Sequence, residues 1–125
     1  MNVKTDTKEK FTVIVPQETS LAANMTEELA AMLLPYLQKD IPHIILNLRY
    51  IENTDEQMAE AIAGIQQQFY ENNSSFVICE MNDAVKKIFE QLDLLDIINV
   101  TPTESEAWDI LQMEEIEREL LSGDE

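Results

Sequence analysis

The chain has 125 residues, 45% hydrophobic and 26% charged, with two Gly and four Pro, the composition of one globular domain rather than of a disordered or repetitive segment. Its formal charge of −17, from 25 acidic against 8 basic residues, repels nucleic-acid phosphates and anionic lipid surfaces, so DNA, RNA and membrane binding are disfavoured. No apolar run approaches the roughly 20 residues of a membrane span, and residues 1–10 are polar without a signal-peptide core, so a cytoplasmic location without membrane insertion is expected.

Phe11, Val13 and Val15 alternate at the period of a half-buried strand, which Pro16 ends or places at an edge. From Asn24 to Gln38, Met25, Leu29, Met32 or Leu33, and Tyr36 recur at helical spacing, with Asn24 as N-cap. Pro35 predicts a kink or an end near Leu34, because Pro costs about 3 kcal/mol inside a helix. His43–Leu48 is an aliphatic run that reads as the central strand, buried on both faces. Thr54-Asp-Glu-Gln57 has the form of a capping box, and Met58, Ile62, Ile65 and Phe69 make one apolar stripe on a helix from about Asp55 to Asn72.

Asn72–Ser75 is a turn and Phe76–Cys79 a second short buried strand, in which the single Cys79 is a small hydrophobe rather than a nucleophile. Asn82 or Asp83 caps a third helix through Val85, Ile88, Phe89 and Leu92. Ile97–Val100 is a fourth strand candidate, and Thr103 with Glu106 opens a last helix, Glu104 to Leu121. Strands alternating with helices imply crossover connections and a mainly parallel sheet, hence an α/β fold.

The last stretch is acidic: Glu104 to Glu125 holds nine acids and one Arg. Trp108, Ile110, Met113, Ile116 and Leu120 place an apolar side on this helix, which either caps the fold or offers a secondary interaction surface at Trp108, Ile116 and Leu120. No Gly-rich phosphate loop, GxSxG or HExxH occurs, so neither catalysis nor a cofactor is expected. His43 has no acid or Cys at ligand spacing and reads as a strand-end residue, while Lys86-Lys87 is too small a basic spot for a phosphate groove.

His43-Ile-Ile-Leu-Asn-Leu48, the helix-opening Asp55, Asn82-Asp-Ala-Val-Lys-Lys-Ile-Phe89, and Leu94–Val100 followed by Thr103-Glu-Ser-Glu-Ala107 resemble successive landmarks of the STAS domain, of the anti-sigma-factor antagonist type. The resemblance spans about Phe11 to Leu111 and implies a four- to five-stranded, mostly parallel or mixed sheet with about four helices. It divides the chain into a polar segment 1–10, a STAS-like domain 11–113 and an acidic helical extension 114–125. It also implies partner switching, in which the domain binds an anti-sigma factor that is a serine kinase until one Ser is phosphorylated.

That Ser follows an Asp at the start of the second helix in an Asp-Ser-Ser-Gly motif, where this chain reads Asp55-Glu56-Gln57-Met58. The Asp matches and the phosphoacceptor does not. The Gly and Asp that family members often carry before the first helix are also missing from Thr19-Ser-Leu-Ala22. Glu56 reads two ways, as a permanent weak mimic of phosphoserine or as a first-turn acid favoured by the helix dipole. Thr54 is a further possible acceptor, or simply a capping residue. The expected regulatory residues are thus Thr54, Asp55, Glu56, Gln57 and Met58, in a monomer or weak homodimer. The alternative is a constant accessory subunit of a multi-STAS complex or a transporter.

Overall fold

The structure, a computed structural model, describes residues 1–122. Along the chain come β1 (Val3–Thr7), β2 (Thr12–Pro16), β3 (Ser20–Leu21), a 3₁₀ turn Ala23–Met25, α1 (Thr26–Leu33) and a 3₁₀ segment Leu34–Gln38. There follow β4 (Ile44–Asn47), β5 (Asn53–Thr54), α2 (Glu56–Glu71), β6 (Phe76–Cys79), α3 (Asp83–Gln91), β7 (Val100–Thr101) and α4 (Glu104–Ser122). Five strands form one mixed sheet in the order β1-β2-β4-β6-β7, antiparallel only between β1 and β2, while β3 and β5 make a separate parallel pair. This is the mostly parallel α/β architecture with four helices that the alternation of elements implies.

β4 and β6 are buried on both faces, as their continuous aliphatic sequence demands. On one face Ile14, Ile44, Leu46, Phe76 and Ile78 meet α1, α2 and α3 through Leu29, Met58, Ile62, Phe69, Val85 and Phe89. On the other, Val13, Val15, Ile45, Val77 and Cys79 meet Ala107 and Leu111 of α4. Burial of each such side chain stabilises by about 1.5–3 kcal/mol. Burial pushes the Cys79 thiol up to about 12, with Glu80 and Glu104 adding to it, so the group stays a neutral packing element.

Several local expectations are corrected. Residues 1–10 carry the edge strand β1, whose alternation is invisible because four of its five residues are exposed. β2 is neither half-buried nor at an edge, since β1 covers its flank and all five of its residues are buried, with Pro16 last. Asn24 does not cap α1, because the chain enters through the 3₁₀ turn and no side-chain cap bond forms. The expected end near Leu34 is met, by contrast: the helix stops at Leu33, and Pro35 sits near the start of the following 3₁₀ segment, where its missing N–H is harmless. The fourth candidate strand shrinks to Val100–Thr101 because the N–H groups of Ile97 and Ile98 close a turn on the Leu94 carbonyl, leaving Ile97 exposed.

At the N-terminal end of the parallel strands lies a polar network. Gln66, buried in α2, donates to the carbonyls of Phe76 at 2.7 Å and Asn99 at 3.1 Å and accepts from the Asn99 N–H at 2.9 Å. Tyr70 and Ser75 donate to Glu114 of α4 at 2.8 and 2.6 Å, and Arg118 donates to the Ser75 hydroxyl at 2.7 Å. Burial, reinforced by Glu114, lifts the Tyr70 hydroxyl far above its ordinary range, so it remains a donor. The amide of Ser75 donates to His43 Nδ1 at 3.0 Å, which requires that nitrogen to be unprotonated.

Two outcomes follow from this network. Gln66→Leu should cost about 2–3 kcal/mol in urea unfolding although it adds apolar surface, because it strands buried backbone groups of β6 and of the turn before β7. His43 is held below its ordinary value, first by burial and then by the Arg118 charge. The neutral form is favoured in the fold, so its stabilisation is full above about pH 6.5 and is lost as pH falls through the lower folded value. Stability curves of the wild type and His43→Gln should therefore converge between pH 7.5 and pH 5; parallel curves would show that His43 does not titrate with folding.

Candidate partner-binding site

The opposite end of the sheet, where the parallel strands finish, gathers most of the residues singled out in the sequence. Asp55 is the N-cap of α2: its Oδ1 accepts from the Met58 N–H at 2.9 Å and its Oδ2 from the Ala23 N–H at 2.7 Å. One carboxylate thus satisfies a free amide of the helix and one at the entry of the 3₁₀ turn before α1. The backbone pairing of β3 with β5 continues the join, setting Ser20 beside Asn53 and Leu21 beside Thr54. The Ser20 hydroxyl donates to the Asn53 side-chain oxygen, and the Thr54 hydroxyl donates to the Leu21 carbonyl at 2.7 Å. The loop Thr19–Ala22 therefore lies against Asn53–Asp55.

The expected capping role of Thr54 is corrected: Asp55 caps the helix, and the Thr54 hydroxyl is engaged with β3. Glu56 and Gln57 are exposed in the first turn of α2. Met58 points the other way and is fully buried, so it holds the helix to the core and presents no side chain to a partner. Trp108, Ile116 and Leu120 are also exposed, but on α4, across the sheet from this site.

The structure adds residues that sequence reasoning passed over. Tyr50, 49% exposed, lies beneath the Arg49 guanidinium, which sits 5.1 Å from its ring centre. It borders an open cleft of about 420 Å³ lined by Gln17, Glu18, Thr19 and Glu52. An exposed aromatic beside an Arg is the pairing that concentrates binding energy in protein interfaces, and its signal was the abrupt Arg49-Tyr50 after an aliphatic strand.

Asn47, buried at the end of β4, donates from Nδ2 to Glu80 at 2.8 Å and Glu104 at 2.9 Å, while its Oδ1 accepts from the Arg49 N–H. Asn82 caps α3 through the Val85 N–H and donates to the Glu52 carbonyl at 3.0 Å. These bonds fix the loops around Tyr50 to the ends of β4, β6 and α4. Among the described residues no group of three or more His, Cys, Asp or Glu is placed to hold a metal ion. Nor is any described helix long and apolar enough to cross a membrane.

The STAS domain model matches residues 2–107. The chain belongs to the STAS family. Its fold is similar to that of an anti-sigma-factor antagonist (STAS) domain protein from Planctomyces limnophilus, with a TM-score of 0.75 and 17% identity over 88% of this chain and 97% of that one. RsbS of Moorella thermoacetica, in a variant with one serine changed to glutamate, gives 0.74 and 17% over 90% and 96%. The anti-sigma factor antagonist SpoIIAA in its unphosphorylated form gives 0.69 and 18% over 89% and 96%. At such identities the likeness is one of fold.

Within this STAS domain, Asp55→Ala should cost about 1–2 kcal/mol, the upper part of the range for a lost N-cap, because the same carboxylate also holds Ala23. Amide hydrogen exchange should speed up at both Ala23 and Met58. Exchange that rises at Met58 alone would show that the link to the α1 entry carries no stability.

Proposed function

We propose that this STAS domain is a protein-binding module of regulatory partner switching, in the manner of anti-sigma factor antagonists, whose surface is fixed rather than switched at the usual position. The carrying observation is the start of α2: the Asp is in place as cap, and the next residue, exposed in the first turn, is Glu56 with no hydroxyl to phosphorylate. SpoIIAA is described in both phosphorylated and unphosphorylated forms, and this chain would lack that exchange at the matching site. The binding surface comprises Thr54, Asp55, Glu56 and Gln57 with Tyr50, and its partner is an anti-sigma factor or serine kinase presenting a basic, aromatic-accepting patch. The module acts in the cytoplasm and carries out no catalysis.

The substitution Glu56→Ser tests this reading. It restores a hydroxyl beside the Asp and removes one negative charge, so affinity for an anti-sigma serine kinase should rise by about 1 kcal/mol in calorimetry, and ATP should then abolish the gain. Wild-type binding should be indifferent to ATP. If Glu56→Ser leaves affinity unchanged, Glu56 is only a first-turn acid. Should Ser20 or Thr54 of the native protein take up phosphate and lose the partner, the switch exists elsewhere on this face. Stable co-purification with a membrane ATPase instead of a kinase would replace the reading with that of an accessory subunit.

A further inference from the structure

The second face of the sheet is covered by a single helix, and that helix is longer than the face it covers. α4 begins with Glu104 beside Asn47 at the finishing end of β4 and reaches Ser75, just before β6, by Glu114 and Arg118. Its 19 residues span about 28 Å, against about 13 Å for a four-residue strand. Its outer side and its end carry apolar side chains that no described residue covers: Met113, Ile116, Leu120 and Leu121 are 56–78% exposed. Met113, Ile116 and Leu120 stand at i, i+3 and i+7 and so form one stripe on the outer side of the helix, opposite the inward Ala107, Leu111 and Glu114.

The charges around the stripe select its occupant. Asp109 lies one turn before Met113, and Glu117 is flanked by Met113 at i−4 and Leu120 at i+3, both acids exposed. A second α4 laid antiparallel on this stripe would set acid against acid, within molecules that each carry −17. An amphipathic helix with Leu or Ile on one side and Lys or Arg along its flanks would match both the apolar centre and the acidic rim. We propose that the outer face of α4 docks a basic amphipathic helix of a protein partner. The site lies on the opposite face and toward the opposite end of the sheet from Asp55 and Glu56, so the two surfaces can be occupied together.

The test uses the full chain and a fluorescent 18-residue peptide of Leu and Lys with Leu at i, i+3, i+4 and i+7. A scrambled peptide of equal composition has the same charge and no apolar face. Anisotropy should show the patterned peptide binding at least tenfold more tightly than the scrambled one, with helix formation seen by circular dichroism. The double substitution Ile116→Gln and Leu120→Gln, at exposed positions and without change of charge, should remove about tenfold of that affinity. Glu56→Gln should leave it untouched. Equal binding of both peptides would reduce the effect to bulk charge and overturn the proposal, as would indifference to the Gln pair. Sedimentation showing a dimer that the Gln pair abolishes would overturn it too, since the stripe would then belong to a second copy.

Discussion

The two-sided burial of β4 and β6 is the constraint on which the rest of the molecule depends. Strands with no polar side must be covered above and below, and the chain meets this unequally. Three helices close one face, while α4 closes the other alone. The inequality gives the two faces different surfaces. The face closed by α2 has its helix start, with Asp55 and Glu56, at the rim where the parallel strands end. Among the described residues, the face closed by α4 has no second helix to absorb the outer side of the first.

Polar groups do the positioning at both ends of the sheet. At the finishing end, Asn47 ties Glu80 and Glu104 to β4, and Asn82 ties α3 to the loop behind Tyr50. At the starting end, Gln66, Tyr70, Ser75, Asn99 and Glu114 join α2, the strand entries and α4. Asn47, Gln66 and Ser75 are buried, where an unmet hydrogen bond costs more than a met one gains. They fix register and loop height more than they add stability. Glu80 adopts a left-handed conformation, φ 58°, just after β6, a strain that its hydrogen bond from Asn47 helps to sustain.

The sequence was legible wherever one period dominated. The stripe Met58, Ile62, Ile65, Phe69 and the aliphatic run Ile44–Leu48 occupy the places their patterns predict, and the capping signal at Thr103 is realised through the Glu106 N–H, while the one at Thr54 passes to Asp55. Legibility failed where tertiary contact overrode the local signal. β1 is written in polar residues because an edge strand needs little apolar content. The Ile97–Val100 run looks like a strand but is mostly turn, its hydrogen bonds going back to Leu94. Of the candidate site, Asp55 was readable as a helix-opening residue, but its bond to Ala23 joins residues 32 apart and leaves no local trace. Asn47 was hidden as the last residue of its aliphatic strand, and Tyr50 by lying just beyond it.

The position of α4 after every strand of the sheet has a consequence for synthesis. As the chain leaves the ribosome from its N-terminus, α1, α2 and α3 emerge between the strands and can close their face as it forms. Phe11, Val13, Val15, Ile45 and Val77 then await a cover that is translated after every strand of the sheet. During that interval the nascent sheet shows the solvent a bare aliphatic surface, the kind that chaperones bind and that neighbouring nascent chains adhere to. The dense acidic charge of the last helix arrives with its apolar side, so the segment that seals the sheet also brings the repulsion that keeps finished molecules apart.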